Sequence, residues 1–288
     1  MANTQAIKGR IRSVKSTKQI TKAMELVAAS KMRRAQEATL RSRVYRNTAR
    51  EILTRISTMI DVSAHPLYEV REVKSVLIIA ISSDRGLAGA YNSNIFKQFI
   101  AATKNDVARG TSVEVIAIGR QIARFASRLE GINTVGAYEG FPERPQATDL
   151  QPILKVAFDK FTSGEVDAVK VVYTDFVSSV SQEAKAETIL PAAFVSTEER
   201  ADLNEAVFEP SPQAVLERIT PKLVEVQLYQ SLLESFASEH SMRMMAMKNA
   251  SDNAGDLIDD LTLEFNGARQ AAITQELAEI TGGAEAIA

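Results

Sequence analysis

Few side chains in this sequence have the types and spacings that chemistry requires. The strongest candidate is Ser82-Ser-Asp-Arg-Gly-Leu-Ala-Gly-Ala-Tyr-Asn92, a Gly-rich turn between an apolar run and a helical segment. Backbone N–H groups in such a turn can cradle phosphate. Gly86 and Gly89 give only GxxG, however, and neither GxGxxG nor GxxxxGK[ST] is present. The pattern predicts a tight structural turn in which Asp84 and Arg85 cap a helix or pair with each other. The two histidines form no triad or metal constellation: His65 precedes Pro66 in a linker, and His240 stands alone in a helical stretch. With no cysteine in the chain, disulfides, thiolate metal sites and cysteine catalysis are excluded. No catalytic, cofactor or metal site is expected.

Basic residues are the other candidates. Lys8, Arg12, Lys15 and Lys22 fall near one helical face, and Lys31, Arg33 and Arg34 form a second cluster, a pattern that suits phosphate contacts. No aromatic residue precedes Tyr45 to stack on a base, and the whole chain is slightly acidic at −2. A solvated face or an acidic protein partner is the better reading. Residues 1–60 carry 14 basic and 3 acidic groups, and residues 213–288 carry 5 and 12. Asp252, Asp256, Asp259, Asp260 and Glu264 are placed to neutralise part of Lys8 to Lys22 if the two ends lie side by side, each exposed pair contributing a few tenths of a kcal/mol.

Two long helical patterns must position these groups. From Pro221 to Ala288, apolar residues at Leu223, Val226, Leu233, Phe236, Met244, Met247, Ala254, Ile258, Leu261, Phe265, Ala268 and Ala272 make a narrow stripe, the mark of a coiled-coil seam. Thr220-Pro221 offers a start signal and Gly282-Gly283 a stop. At the other end, Thr4 to Met59 carries Ile7, Ile11, Val14, Met24, Ala28, Met32, Ala35, Tyr45, Ala49, Ile52, Ile56 and Met59, interrupted by Lys18 and Thr21. Side by side the two would run antiparallel, the C-terminal helix longer by roughly 15 to 20 residues. Its tip, from about Arg269 onward, is then expected to stand alone.

Between them the period changes. Val76–Ile81, Val113–Ile118 and Val169–Tyr173 are nearly continuous apolar runs, as in strands covered on both faces. Helical segments at Asn94–Arg109, Arg120–Leu129 and Leu150–Phe161 alternate with them, and Val180–Leu190 reads as an added edge strand. The fold class expected is α/β: a long antiparallel coiled coil of N- and C-terminal helices plus a small Rossmann-like domain with a mainly parallel sheet. The divisions are residues 1–60 for the first shaft helix, 70–196 for the α/β domain, 197–211 for an irregular foot and 212–288 for the second shaft helix. No run of about 18 apolar residues occurs and the N-terminus lacks a signal-peptide core, so a soluble cytosolic chain is expected, unless a partner holds it at a membrane.

Three separated motifs in order carry a family resemblance. They are Ile11-Arg-Ser-Val-Lys-Ser-Thr-Lys-Gln-Ile-Thr-Lys-Ala-Met24 with Val27-Ala-Ala-Ser-Lys-Met-Arg-Arg-Ala-Gln36, Ser83-Asp-Arg-Gly-Leu-Ala-Gly89, and Ala268-Arg-Gln-Ala-Ala-Ile-Thr-Gln-Glu-Leu-Ala-Glu-Ile280. They closely resemble the gamma subunit of the F-type ATP synthase, as does Ala237–Ala250, and the likeness is weakest from about Gly131 to Phe208. It implies a central rotor shaft, not itself catalytic, whose terminal helices turn inside a hexamer of alpha and beta subunits. Its α/β domain would meet the epsilon subunit and the membrane c ring, coupling ion-driven rotation to ATP synthesis or hydrolysis at beta-subunit sites. The implied location is peripheral, on the cytoplasmic face of a bacterial cell membrane.

Carried over residue by residue, the resemblance makes Arg269 and Gln270 the pair that hydrogen-bonds a beta-subunit catch loop. It places Lys22, Met24 and Arg243 at the beta-subunit lever region, and Ala206, Val207, Phe208 and Glu209 at the foot on the c ring. Gly267 stands where the family usually has Arg or Lys, which removes a charge and costs up to about 1 kcal/mol of helix propensity. Gly255 is a second departure. The chloroplast type's regulatory dithiol insert is absent. Two readings of the residues stay open: a Rossmann-like small-molecule enzyme using the Asp84–Asn92 turn, and a basic coiled-coil nucleic-acid-binding protein.

Overall fold

Continuous apolar runs become strands here, and heptad-spaced ones become helices. The structure, a computed structural model, describes residues 2–61, 65–142, 144–192 and 209–285. The elements are α1 (Ala2–Met59), β1 (Ser75–Ile81), α2 (Tyr91–Ala108), β2 (Ser112–Ile118), α3 (Arg120–Ala126), β3 (Ile132–Tyr138), α4 (Gln151–Thr162), β4 (Ala168–Phe176), β5 (Gln182–Leu190) and α5 (Pro212–Glu285). The chain divides into two compact units, Met1–Ala28 with Arg243–Ala288, and Ala29–Met242.

In the larger unit the five strands are ordered β3-β2-β1-β4-β5. All neighbours are parallel except β4 and β5. Parallel strands joined by helical crossovers are covered on both faces, which is why the sequence of β1 is apolar at successive positions. On one face Leu77, Ile79 and Ile81 pack with Ile153, Leu154, Ala157 and Phe161 of α4, and with Val224, Leu228 and Leu232 of α5. On the other, Val76, Ile78 and Ala80 pack with Tyr91, Ile95 and Phe99 of α2 and Ile122 and Ala126 of α3. Helix α5 is therefore part of the α/β core as well as a terminal helix. A third cluster joins Ile56 of α1 to Leu216 of α5 through Tyr68.

Burial along α1 follows one heptad phase. Ile7, Thr21, Ala28, Met32, Thr39, Ser42, Ala49 and Ile56 are buried, and each sits at a seam position in steps of four and three. Tyr45, expected in the seam, is exposed, while the polar Thr39 and Ser42 are buried there. Thr39 can do so because its hydroxyl donates to Ala35 O within its own helix, at 3.0 Å, so no polar group is orphaned.

Three expectations need correction. Strand β3 was not foreseen, because Ile132-Asn-Thr-Val-Gly-Ala-Tyr138 is an edge strand with neither alternation nor a continuous apolar run. Thr220-Pro221 does not start α5: Pro221 lies inside it. The buried Leu216 extends the helix upstream, and Thr220 Oγ1 donates to Leu216 O at 2.9 Å. Gly282 and Gly283 likewise fall within α5, which ends at Glu285.

One glycine is demanded by close approach. Gly119, between β2 and α3, has φ +96°, and a Cβ there would lie 2.2 Å from the Ser82 carbonyl oxygen. Gly119→Ala should therefore lower stability by about 2 kcal/mol or more in chemical denaturation. A loss under about 0.5 kcal/mol would contradict this packing.

Candidate functional site

The Gly-rich turn is closed by its own bonds. Ser83 N–H donates to Asn92 Oδ1 at 3.2 Å, Asn92 Nδ2 donates to Ser83 Oγ at 2.8 Å, and Ser83 Oγ donates to Arg85 O at 2.7 Å. Asp84 caps: its carboxylate accepts from Arg120 N–H at the start of α3 (3.0 Å) and from Gly140 N–H (2.9 Å). Ser82 Oγ accepts from Ile122 N–H at 2.9 Å. These groups hold the strand ends of β1, β2 and β3 together, which is the structural use expected of the turn. His65 is also structural: its Nδ1 accepts from Leu67 N–H at 3.2 Å, capping a short 3-10 turn, and its ring meets Tyr68 edge-on. Among the described residues, no group of three or more His, Asp or Glu is placed to hold a metal ion.

Lys22, Met24, Arg243, Arg269 and Gln270, the residues expected to face the beta subunits, lie on the helices of the smaller unit. There Ile7, Thr21 and Ala28 of α1 are buried, with Met247, Ser251, Ala254 and Leu261 of α5. Lys18 occupies a seam position, and a Cβ at Gly255 would lie 2.8 Å from its Nζ. Gly255 is thus the notch that lets a lysine cross the seam. With Lys18 opposite Gly255, an antiparallel pair puts Ile7 opposite about Asn266 and Ala2, the first described residue of α1, opposite about Ala271. The burial agrees: Phe265, Ala268 and Ala272 are half-buried, and every residue from Ile273 to Thr281 is exposed.

Apart from Lys18, the charges of this region lie off the seam. Lys8, Arg10, Arg12, Lys15 and Lys22 are exposed, and so are Asp252, Asp256, Asp259, Asp260 and Glu264. Lys22 Nζ pairs with Glu25 on its own helix at 2.9 Å, an i,i+3 contact contributing a few tenths of a kcal/mol. Thr21, buried in the seam, donates its hydroxyl to the Thr17 and Lys18 carbonyls, each at 3.1 Å.

The structure separates the expected contact residues into distinct zones. Met24 and Arg243 are half-buried and Lys22 is exposed; in this register Met24 faces about Asn249, some 9 Å along the axis from Arg243. Arg269 and Gln270 are exposed on the last part of α5, about 39 Å from Arg243 at 1.5 Å per residue. Gly267 is exposed, with nothing within 4 Å of a Cβ placed there. Of the foot residues, Ala206, Val207 and Phe208 lie outside the described residues, and Glu209 is exposed. The buried serines at 235, 238 and 241 of α5 were missed. Their only signal in the sequence is small polar residues recurring every third position.

Comparison with known proteins agrees with this architecture. A family model described as ATP synthase matches residues 3–287. The chain is 38% identical over 290 residues to the ATP synthase gamma chain of Legionella pneumophila (strain Corby), and 42% identical over 287 residues to that of Pelotomaculum thermopropionicum; both alignments cover 100% of each chain. A chain of the Euglena gracilis mitochondrial ATP synthase, from the OSCP/F1/c-ring in rotational state 3, has a TM-score of 0.69 at 16% identity, covering 99% of this chain and 95% of that one. One from the Tetrahymena thermophila central stalk and c ring has a TM-score of 0.61 at 24% identity, covering 81% and 99%. These structural likenesses show the fold.

Two predictions follow from the local chemistry. Burial holds the His65 pKa below its ordinary value near 6.5, with Glu217 opposing. The folded chain thus binds this proton less readily than the unfolded one, and stability falls as pH drops through that value. His65→Asn, which keeps a cap acceptor but does not titrate, should flatten the fall in melting temperature between pH 7 and pH 5; an unaltered slope would contradict the assignment. Gly267→Ala should stabilise the end of α5 by about 1 kcal/mol, slowing amide exchange nearby about fivefold, and unchanged exchange would count against a continuous helix there.

Proposed function

The chain belongs to the ATP synthase gamma-chain family, and on that premise we propose that it is the central rotor shaft of an F-type ATP synthase. The observation that carries the reading is the pairing of the two chain ends in one compact unit whose α5 end runs on past its partner. A shaft that turns inside a ring of subunits must hold no single orientation too tightly. Exposed, mobile charges suit that need, since large apolar anchors buried against the ring would act as hot spots that fix a partner. The alpha and beta hexamer would surround the helical pair, and the epsilon subunit and c ring would meet the α/β unit.

In this reading the chain performs no chemistry: ATP is made or hydrolysed on the beta subunits, and the shaft's asymmetry times their opening and closing. The closed Ser82–Asn92 turn supports a structural part for the motif that most resembled a ligand loop. Arg269 and Gln270 would hydrogen-bond a beta-subunit catch loop, Lys22, Met24 and Arg243 would face the lever region, and Ala206 to Glu209 would form the foot. Among the described residues no helix is long and apolar enough to cross a membrane. Attachment at the cytoplasmic face of a bacterial membrane would come through the c ring.

Two results are expected. The chain should co-purify with alpha, beta and epsilon subunits. Removal of residues from Arg269 onward should leave a chain that melts like the full-length one but binds the hexamer about tenfold less tightly, the worth of a lost charge-assisted contact. Full-strength assembly and rotation torque in the truncated chain would remove the tip from the mechanism.

A further inference from the structure

Strand β4 outruns its neighbour. Its pairing with β1 ends at Val172, opposite Ala80, although β4 continues to Phe176. Beyond that point the β1-side backbone groups of β4 have lost their ladder, and a buried peptide left without partners is costly. Helix α5 supplies the missing partners. Thr174 N–H donates to Ser235 Oγ at 3.1 Å, and Ser238 Oγ donates to Thr174 O at 3.3 Å. One helical turn on, Ser241 Oγ donates to Ser179 O at 2.7 Å and accepts from Gln182 Nε2 at 3.3 Å, binding the turn between β4 and β5. All three serines are fully buried, and so is Thr174.

These contacts differ in kind from the apolar ones nearby. Val224, Leu228 and Leu232 seat α5 on the sheet through dispersion and burial, which tolerate sliding and rolling. Hydrogen bonds do not. With Cα atoms about 2.3 Å from the helix axis, a roll of about 30° carries a side chain more than about 1 Å sideways, enough to break all four bonds together. Serines at i, i+3 and i+6 also wind slowly around the helix, so successive hydroxyls track the backbone of β4 and then of the β4–β5 turn as the helix crosses them.

We propose that Ser235, Ser238 and Ser241 are a torque-bearing lock: positioning residues that prevent α5 from rolling against the sheet, so that torque on the helix is delivered to the α/β unit. The proposal rests on the rotor reading given above. It assigns these serines a part under load, distinct from any part in binding the hexamer.

The test uses the assembled ATP synthase in sealed vesicles, with the shaft carrying Ser235→Ala, Ser238→Ala and Ser241→Ala together. ATP hydrolysis should stay within about twofold of the unaltered complex, while ions transported per ATP against an opposing gradient should fall about threefold or more. Exchange of the Thr174 amide should speed up about tenfold or more. Unchanged loaded transport in a complex whose Thr174 amide does exchange faster would overturn the lock while leaving the rotor reading intact. If the triple variant fails to assemble, Ser241→Ala alone carries the test: lower loaded transport at unchanged hydrolysis supports the lock, and unchanged loaded transport overturns it. An unaltered chain that joins no complex and supports no transport would instead remove the rotor reading, and the lock's function with it.

Discussion

The seam between α1 and α5 is the constraint on which the rest of this molecule depends. Each helix is far longer than any single α/β layer needs, at 58 and 74 residues, so each requires a partner along its length to bury its apolar stripe. Beside Ile7, Met32, Ile56, Met247 and Leu261 they meet that need with small or self-satisfied side chains: Ala28, Thr39, Ser42 and Ala49 on one, Ser251 and Ala254 on the other. Large apolar side chains are concentrated in the sheet instead. The division follows from physical role, because a rigid core wants volume and a slender pair of helices wants close approach.

Helix α5 links the two kinds of structure. Its early turns are core residues of the α/β unit, with Val224, Leu228 and Leu232 in the same cluster as the β1 side chains. Later it carries the coiled-coil residues Met247, Ser251, Ala254 and Leu261. The polar contacts at Ser235, Ser238 and Ser241 fall between these segments, where the helix leaves the apolar face and caps the overhanging end of β4. One covalent helix therefore has apolar, hydrogen-bonded and coiled-coil sections in succession.

Much of this was legible in the sequence because strong periodicity reflects burial directly. The runs at 76–81, 113–118 and 169–173 are strands for that reason, and the stripes at either end are helices. Legibility failed where tertiary context outweighed local signals. The Thr220-Pro221 cap was overridden by burial of Leu216, and β3 was hidden because an edge strand can be polar. Tyr45 looked like a seam residue by hydrophobicity, but the heptad phase set by Ile7, Ala28 and Ala49 gave those places to Thr39 and Ser42. The α5 serines that bond to β4 left only a faint signal in the sequence, since their meaning depends on a strand far away in it. Arg269 and Gln270 are singled out only by the family resemblance, as two exposed polar residues on a helix announce nothing by themselves.

The pairing of the chain ends can be measured directly, because the natural sequence has no cysteine to interfere. With Ile7→Cys and Phe265→Cys, mild oxidation should give a rapid, high-yield intramolecular disulfide, as the antiparallel register set by Lys18 and Gly255 requires. Failure of that pair to cross-link, together with efficient cross-linking of Ile7→Cys to Met244→Cys, would mean the helices run parallel and would contradict the account.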